Sequence, residues 1–110
     1  MTQDAAEIVL CQYQAKAGQE AELVALFKEH DVVLRRLGLI TDEPAVCYRG
    51  ADGAGRPFFV KTFTWKSARA VEAAHRHPEV ADLWERMAPL CEDRDGRPGM
   101  EFPHVERIVL

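Results

Sequence analysis

The side chains best suited to proton transfer in this sequence are its four histidines, His30, His75, His77 and His104. Imidazole titrates near neutrality and can serve as acid or base at ordinary pH. His30 falls within an apolar stripe with Leu23, Phe27, Leu34 and Leu37. It is expected either as a hydrogen-bonded, partly buried side chain or as part of a cavity wall between a helix and a sheet. His75 and His77 come just before Pro78 and sit too close in sequence to share a helical face. His77 suits a capping position ahead of the proline. His75 suits the border of a cavity, because interrupted helices leave backbone groups unpaired and its helical neighbours Val71 and Ala74 are small. His30 and His75 are therefore the candidate catalytic pair, as acid and base or as groups that orient a substrate. No HExxH pattern accompanies them, and no metal site is expected.

Aromatic residues supply the candidate binding surface. Alternation along one strand places Phe59, Lys61, Phe63 and Trp65 on one face. Phe63 and Trp65, with Trp84 from a later helix, can hold a flat ring. Tyr13 shares a strand face with Cys11 and could donate a hydrogen bond to a ligand carbonyl, or could equally pack at a dimer interface. Lys61, flanked by aromatics, is expected to reach solvent or to pair with a carboxylate such as Glu106. Cys11, Cys47 and Cys91 are odd in number, widely spaced and form no CxxC, so neither a zinc site nor a disulfide framework is signalled. Neither Cys11 nor Ser67 has a base at a recognisable spacing.

These residues need a scaffold, and the periodicities describe one. Residues 8–15 are β-branched and apolar and read as a first strand. The period then changes to that of an amphipathic helix over residues 19–37, with Gly38 as its stop. Residues 45–49 and 58–65 read as two strands joined by a glycine-rich mobile tip at 50–55, which lacks the spacing of a phosphate loop. Ser67 can cap a second helix over 68–75. Pro78 then restarts a helical segment whose apolar stripe is Val80, Leu83, Trp84, Met87 and Cys91. A charged loop at 92–99 leads to a last strand over 102–110. The order is βαββαβ, an α+β ferredoxin-like fold with a four-stranded antiparallel sheet and its helices on one face. The other face is too apolar to sit in water, so a homodimer through the open sheet face is expected.

Composition narrows the partners. The chain has 110 residues, enough for a single domain spanning 1–110, with 47% hydrophobic and 29% charged residues. A net charge of −4 with scattered basic residues argues against nucleic acid. No apolar run is long enough to span a bilayer, and residues 1–7 lack the order of a signal peptide, so a cytoplasmic protein without membrane contact is expected.

The stretch Phe63-Thr64-Trp65-Lys66-Ser67, followed by Ala73-Ala74-His75 and His77-Pro78-Glu79-Val80, resembles the middle of the antibiotic biosynthesis monooxygenase-like domains of the dimeric α/β-barrel superfamily. The resemblance runs over nearly the whole chain. It implies a homodimer with a pocket between sheet and helices, and no particular substrate. The heme-degrading branch carries an Asn on the first strand and a Trp and a His on the second helix. Cys11, Ala74 and Trp84 stand at those positions here, so heme is not expected, nor is any other cofactor. Two functions fit. One is a cofactor-independent enzyme acting on a small oxidisable aromatic or quinol-type molecule. The other is a non-catalytic ligand-binding or stress-related dimer.

Overall fold

The computed structural model describes residues 5–110; residues 1–4 of the polar N-terminal stretch lie outside it. Strand β1 (Glu7–Tyr13) leads into helix α1 (Glu20–Arg36), then strands β2 (Val46–Ala51) and β3 (Pro57–Trp65). Helices α2 (Ala68–Arg76) and α3 (Pro78–Met87) follow, and two short strands, β4 (Met100–Glu101) and β5 (His104–Val105), complete the sheet. The order across the sheet is β2-β3-β1-β4, with β5 also on β1, and all pairings are antiparallel. This is the expected ferredoxin-like arrangement.

Local chemistry sets the helix ends. At the end of α1 the amide of Leu39 donates to the Leu34 carbonyl and that of Gly38 to the Arg35 carbonyl, both at 3.0 Å. That pair of bonds is a Schellman closure, and it needs the left-handed φ of +71° that Gly38 adopts without a Cβ penalty. Ser67 caps α2 by accepting from the Ala70 amide at 3.2 Å. The ring Nδ1 of His77 accepts from the Glu79 amide at 3.2 Å and caps α3, with Pro78 next in line.

Packing follows the two periodicities. Leu23, Leu26, Phe27, His30, Val33 and Leu34 form the buried face of α1, and Val80, Leu83 and Met87 that of α3. Val9, Cys11 and Tyr13 of β1 and Phe59, Lys61, Phe63 and Trp65 of β3 are buried on the side that meets the helices. Arg86 of α3 makes a two-pronged bond to Glu29 of α1 at 3.1 and 3.2 Å, and Arg36 pairs with Glu79. These exposed, solvent-screened pairs set orientation more than stability.

The last strand departs from expectation. Pairing with β1 begins at Met100, breaks at Phe102 and Pro103, resumes at His104 and ends at Val105. Pro103 has no amide to donate, although its carbonyl still accepts from Leu10 at 2.9 Å. Val105 lies opposite Ile8, one residue from the start of β1, so residues 107–110 run past the end of the strand they follow. The glycine-rich tip is also tied down. Arg56 bonds Asp52 at 2.9 Å and Asp95 at 3.0 Å. Arg94, buried in the 92–99 loop, donates to the carbonyls of Pro57 and Ala15 at 2.8 and 2.5 Å.

Candidate functional site

A cavity of about 180 Å³ lies between the helix-facing side of β1 and β3 and the three helices. Its floor is Val9, Cys11, Phe63 and Trp65; its walls are His30, Val71, His75, Trp84, Phe102 and His104. The two candidate catalytic histidines therefore share one cavity, with three of the four candidate substrate-binding residues, Phe63, Trp65 and Trp84. Trp84 is the hub: ring centroids lie 6.3 Å from His30, 5.1 Å from His75 and 6.5 Å from Phe102. Phe63 stands edge-on to His30 at 5.9 Å and to Trp65 at 5.0 Å.

Tyr13 is not part of this lining. Its ring packs on Phe27 at 4.4 Å and edge-on to Phe102 at 5.8 Å. It stands two pairs further along β1 than Cys11, opposite Phe59, toward the other end of the sheet. Burial holds its hydroxyl well above the usual phenol range.

His30 occupies the closed end and is only 2% exposed. Its Nδ1 lies 3.4 Å from the Lys61 ammonium. Lysine nitrogen can only donate while charged, so Nδ1 accepts and the ring proton resides on Nε2 by inference. Burial, and then the neighbouring Lys61 charge, push the His30 pKa down to about 3. The imidazole is neutral across the working range. Its Nε2 is buried and finds no hydrogen-bond partner among the described residues. Leaving such a group unpaired costs about 1–3 kcal/mol, so it favours an acceptor that reaches it from the cavity through a small shift of the neighbouring side chains.

Lys61 reaches neither solvent nor Glu106. It is 4% exposed, its nitrogen 4.8 Å from the centre of the Phe27 ring, 5.5 Å from Phe63 and 5.8 Å from Tyr13. Glu106 lies past the end of β5, beyond the sheet rows that include Lys61. No carboxylate lies within ion-pair distance of Lys61 among the described residues. Burial lowers its pKa. Ring faces return about 0.5–2 kcal/mol to a cation, less than the several kcal/mol of stripping it of water.

The mouth is different. His75 is exposed and packs against Trp84 with the two rings tilted by 47°. His104, also exposed, engages the Glu7 carboxylate through Nδ1 at 3.0 Å. Sequence reasoning did not assign His104 to the site. Its signal is the register of β5, which sets His104 opposite Val9 on the helix-facing side. Cys11, in the floor, is raised to about 11 by burial and is an unreactive thiol. Among the described residues no three His, Cys, Asp or Glu groups converge as metal ligands. A depression of about 250 Å³ beside the Arg94 network is lined by charges already paired with one another.

Solved structures share this architecture from end to end. SnoaB, a cofactor-independent oxygenase from Streptomyces nogalater seen in a mutant form, superposes with a TM-score of 0.71 at 11% identity, over 96% of this chain and 95% of its own. A candidate antibiotic biosynthesis monooxygenase from Chloroflexus aurantiacus gives 0.65 at 18% identity, over 96% and 95%. The chain has the antibiotic biosynthesis monooxygenase-like fold. A dimeric ferredoxin-like protein of unknown function from Jannaschia sp. CCS1 carries the same fold, with a TM-score of 0.64 at 14% identity over 94% of this chain and 100% of its own. No family model matches the sequence, and no curated protein does. Within the monooxygenase-like fold the cavity lies between sheet and helices, where the sequence resemblance implied one. Among the described residues no helix is long and apolar enough to cross a membrane.

Proposed function

We propose that this chain binds a small electron-rich aromatic molecule in the His30–Trp84 cavity and oxidises it with dioxygen, without a cofactor. The observation that carries the reading is the unpartnered Nε2–H of His30, buried at the end of a cavity walled by aromatic rings. An apolar cavity of about 150 Å³ holds a benzene, so 180 Å³ suits one substituted ring, or two fused rings that extend past the mouth. The activity of SnoaB, which has the same fold, supports the same class of chemistry.

In this scheme Phe63, Trp65 and Trp84 hold the ring, and His30 donates Nε2–H to the substrate oxygen. With His30 held neutral by burial and Lys61, its part is orientation and stabilisation of negative charge. His75, at the mouth, takes the proton. The substrate anion passes one electron to dioxygen, and the resulting superoxide and substrate radical join in a carbon–oxygen bond. The peroxide regains the proton and, at a CH₂ carbon, loses water to leave a carbonyl. One dioxygen and two substrate hydrogens thus become the new carbonyl oxygen and one water. The walls exclude bulk water from the charged intermediate.

The test is oxygen uptake with one- and two-ring phenols and quinols, beside binding measured by quenching of tryptophan fluorescence. Turnover abolished by His75→Gln supports the scheme. Binding without turnover leaves the ligand-binding reading, and no binding removes both.

The same reading includes a homodimer through the open sheet face. Tyr48 and Val46 of β2 and Val105 of β5 are exposed there, beside half-buried Leu10, Val60 and Phe58. Sedimentation at micromolar protein should give twice the chain mass, as expected for an interface burying upwards of about 1,200 Å². A stable monomer would remove the dimer.

A further inference from the structure

We infer that Lys61 and His30 form an anion-binding relay at the closed end of the cavity, and that its ligand is the monoanion of a flat, weakly acidic molecule such as a phenolate or an enolate. This rests on the cavity being a ligand site, as proposed above, and adds which charge state of the ligand the site selects.

Lys61 is a buried cation that no carboxylate contacts among the described residues. Lys61 sits mid-row on the helix-facing side of the sheet, with Cys47 of β2 on one side and Cys11 of β1 on the other. Burial raises the pKa of both thiols, so neither supplies a negative charge. From α1 come His30 and Asp31, and Asp31 is held by Arg35 at 3.0 Å. At the cavity mouth, His75 and the Glu7–His104 pair are the remaining titratable groups. The contact the lysine nitrogen does make is His30 Nδ1, and the opposite ring nitrogen is unpartnered.

An imidazole between a cation and a cavity transmits polarity. The charge at Nδ1 polarises the ring and strengthens Nε2–H as a donor, the more so in a site with little water. A neutral phenol at Nε2 gains an ordinary hydrogen bond. A phenolate gains a stronger one and also meets, through the ring, the charge of Lys61, which Asp31 offsets only from a distance while paired with Arg35. The site therefore favours ionisation of the ligand, which is the step that prepares an electron-rich ring for dioxygen. Lys61 acts through His30 and is a positioning residue.

The test uses 4-nitrophenol, a one-ring probe whose phenolate alone absorbs in the visible, with binding measured separately by equilibrium dialysis. The expected result is that the bound probe ionises at a pH roughly one unit or more below the free probe, a tenfold or greater shift in its ionisation constant. The shift should vanish in Lys61→Met and in His30→Leu, and persist in Arg97→Gln, which lies outside the cavity. Met nearly matches the lysine stem in volume, and circular dichroism with thermal melting confirms that each variant is folded. A probe that binds in its neutral form, or a shift that survives Lys61→Met, overturns the relay and leaves the ligand site intact. Failure of any phenol to bind sinks relay and site together.

Discussion

The two ends of the cavity carry the same side chain in opposite circumstances. At the closed end His30 is 2% exposed, faces a lysine ammonium and is held neutral, with a pKa near 3. At the mouth His75 and His104 are exposed; one lies against Trp84 and the other is tied to a carboxylate. An imidazole beside a cation and away from water is a fixed donor. An imidazole at a solvated rim, or with a carboxylate on one nitrogen, is instead open to solvent and to an entering ligand. Residue type alone makes these histidines look equivalent, and their surroundings divide the labour.

The largest expected effect separates proton transfer from binding. His75→Gln should lower turnover of a quinol-type substrate by about 10²–10⁴-fold, with affinity and melting temperature nearly unchanged. Full activity in that variant would remove the proposed base. Next is His30→Leu, which deletes the buried donor. Here kcat should fall by about 10²–10³-fold, as when one donor to a developing oxyanion is lost. The leucine removes the unpartnered Nε2 but also takes from Lys61 its imidazole contact, so the melting temperature is compared with that of the double variant Lys61→Met/His30→Leu, which should melt higher than His30→Leu alone.

A smaller effect concerns pH and stability. The folded pKa of His30, about 3, lies below the ordinary 6.5. Between those values the unfolded chain binds a proton that the native one does not, so stability is full above 6.5 and falls as pH drops toward 3. Carboxylates complicate the acid half of that window. In the upper part, unfolding free energies from urea titrations should fall by up to about 1.4 kcal/mol per pH unit, more steeply in the parent than in His30→Leu. Equal slopes would mean that His30 is protonated in the native state. The smallest effect is Glu7→Gln. It should alter turnover only a few-fold, since Glu7 orients His104 and the proposed base is His75; a loss as large as that of His75→Gln would transfer the base role to His104.

Much of the scaffold was legible because it depends on neighbours in sequence. Steps of three and four placed His30 on the inner face of α1, alternation placed Lys61, Phe63 and Trp65 together, and Gly38, Ser67 and His77 mark helix ends by local hydrogen bonds. What could not be read depends on register between distant segments. Pro103 splits the last strand, and only the pairing of His104 with Val9 brings that histidine to the cavity. Tyr13 was placed on the correct face but not at the correct height along it. The partner of Lys61 was missed because sequence gives no distance between a residue on β3 and one on α1. A buried ammonium facing an imidazole also runs against the usual expectation of a carboxylate.

The most direct test of the central claim is a long-range proton–nitrogen correlation spectrum of the histidine rings, recorded from about pH 8 to about pH 5 and then with a phenol added. His30 should remain a neutral ring with its proton on Nε2 throughout, and that resonance should move downfield as the ligand binds. A His30 ring that gains a second proton within the range, or an Nε2–H signal indifferent to bound phenol, would contradict the account.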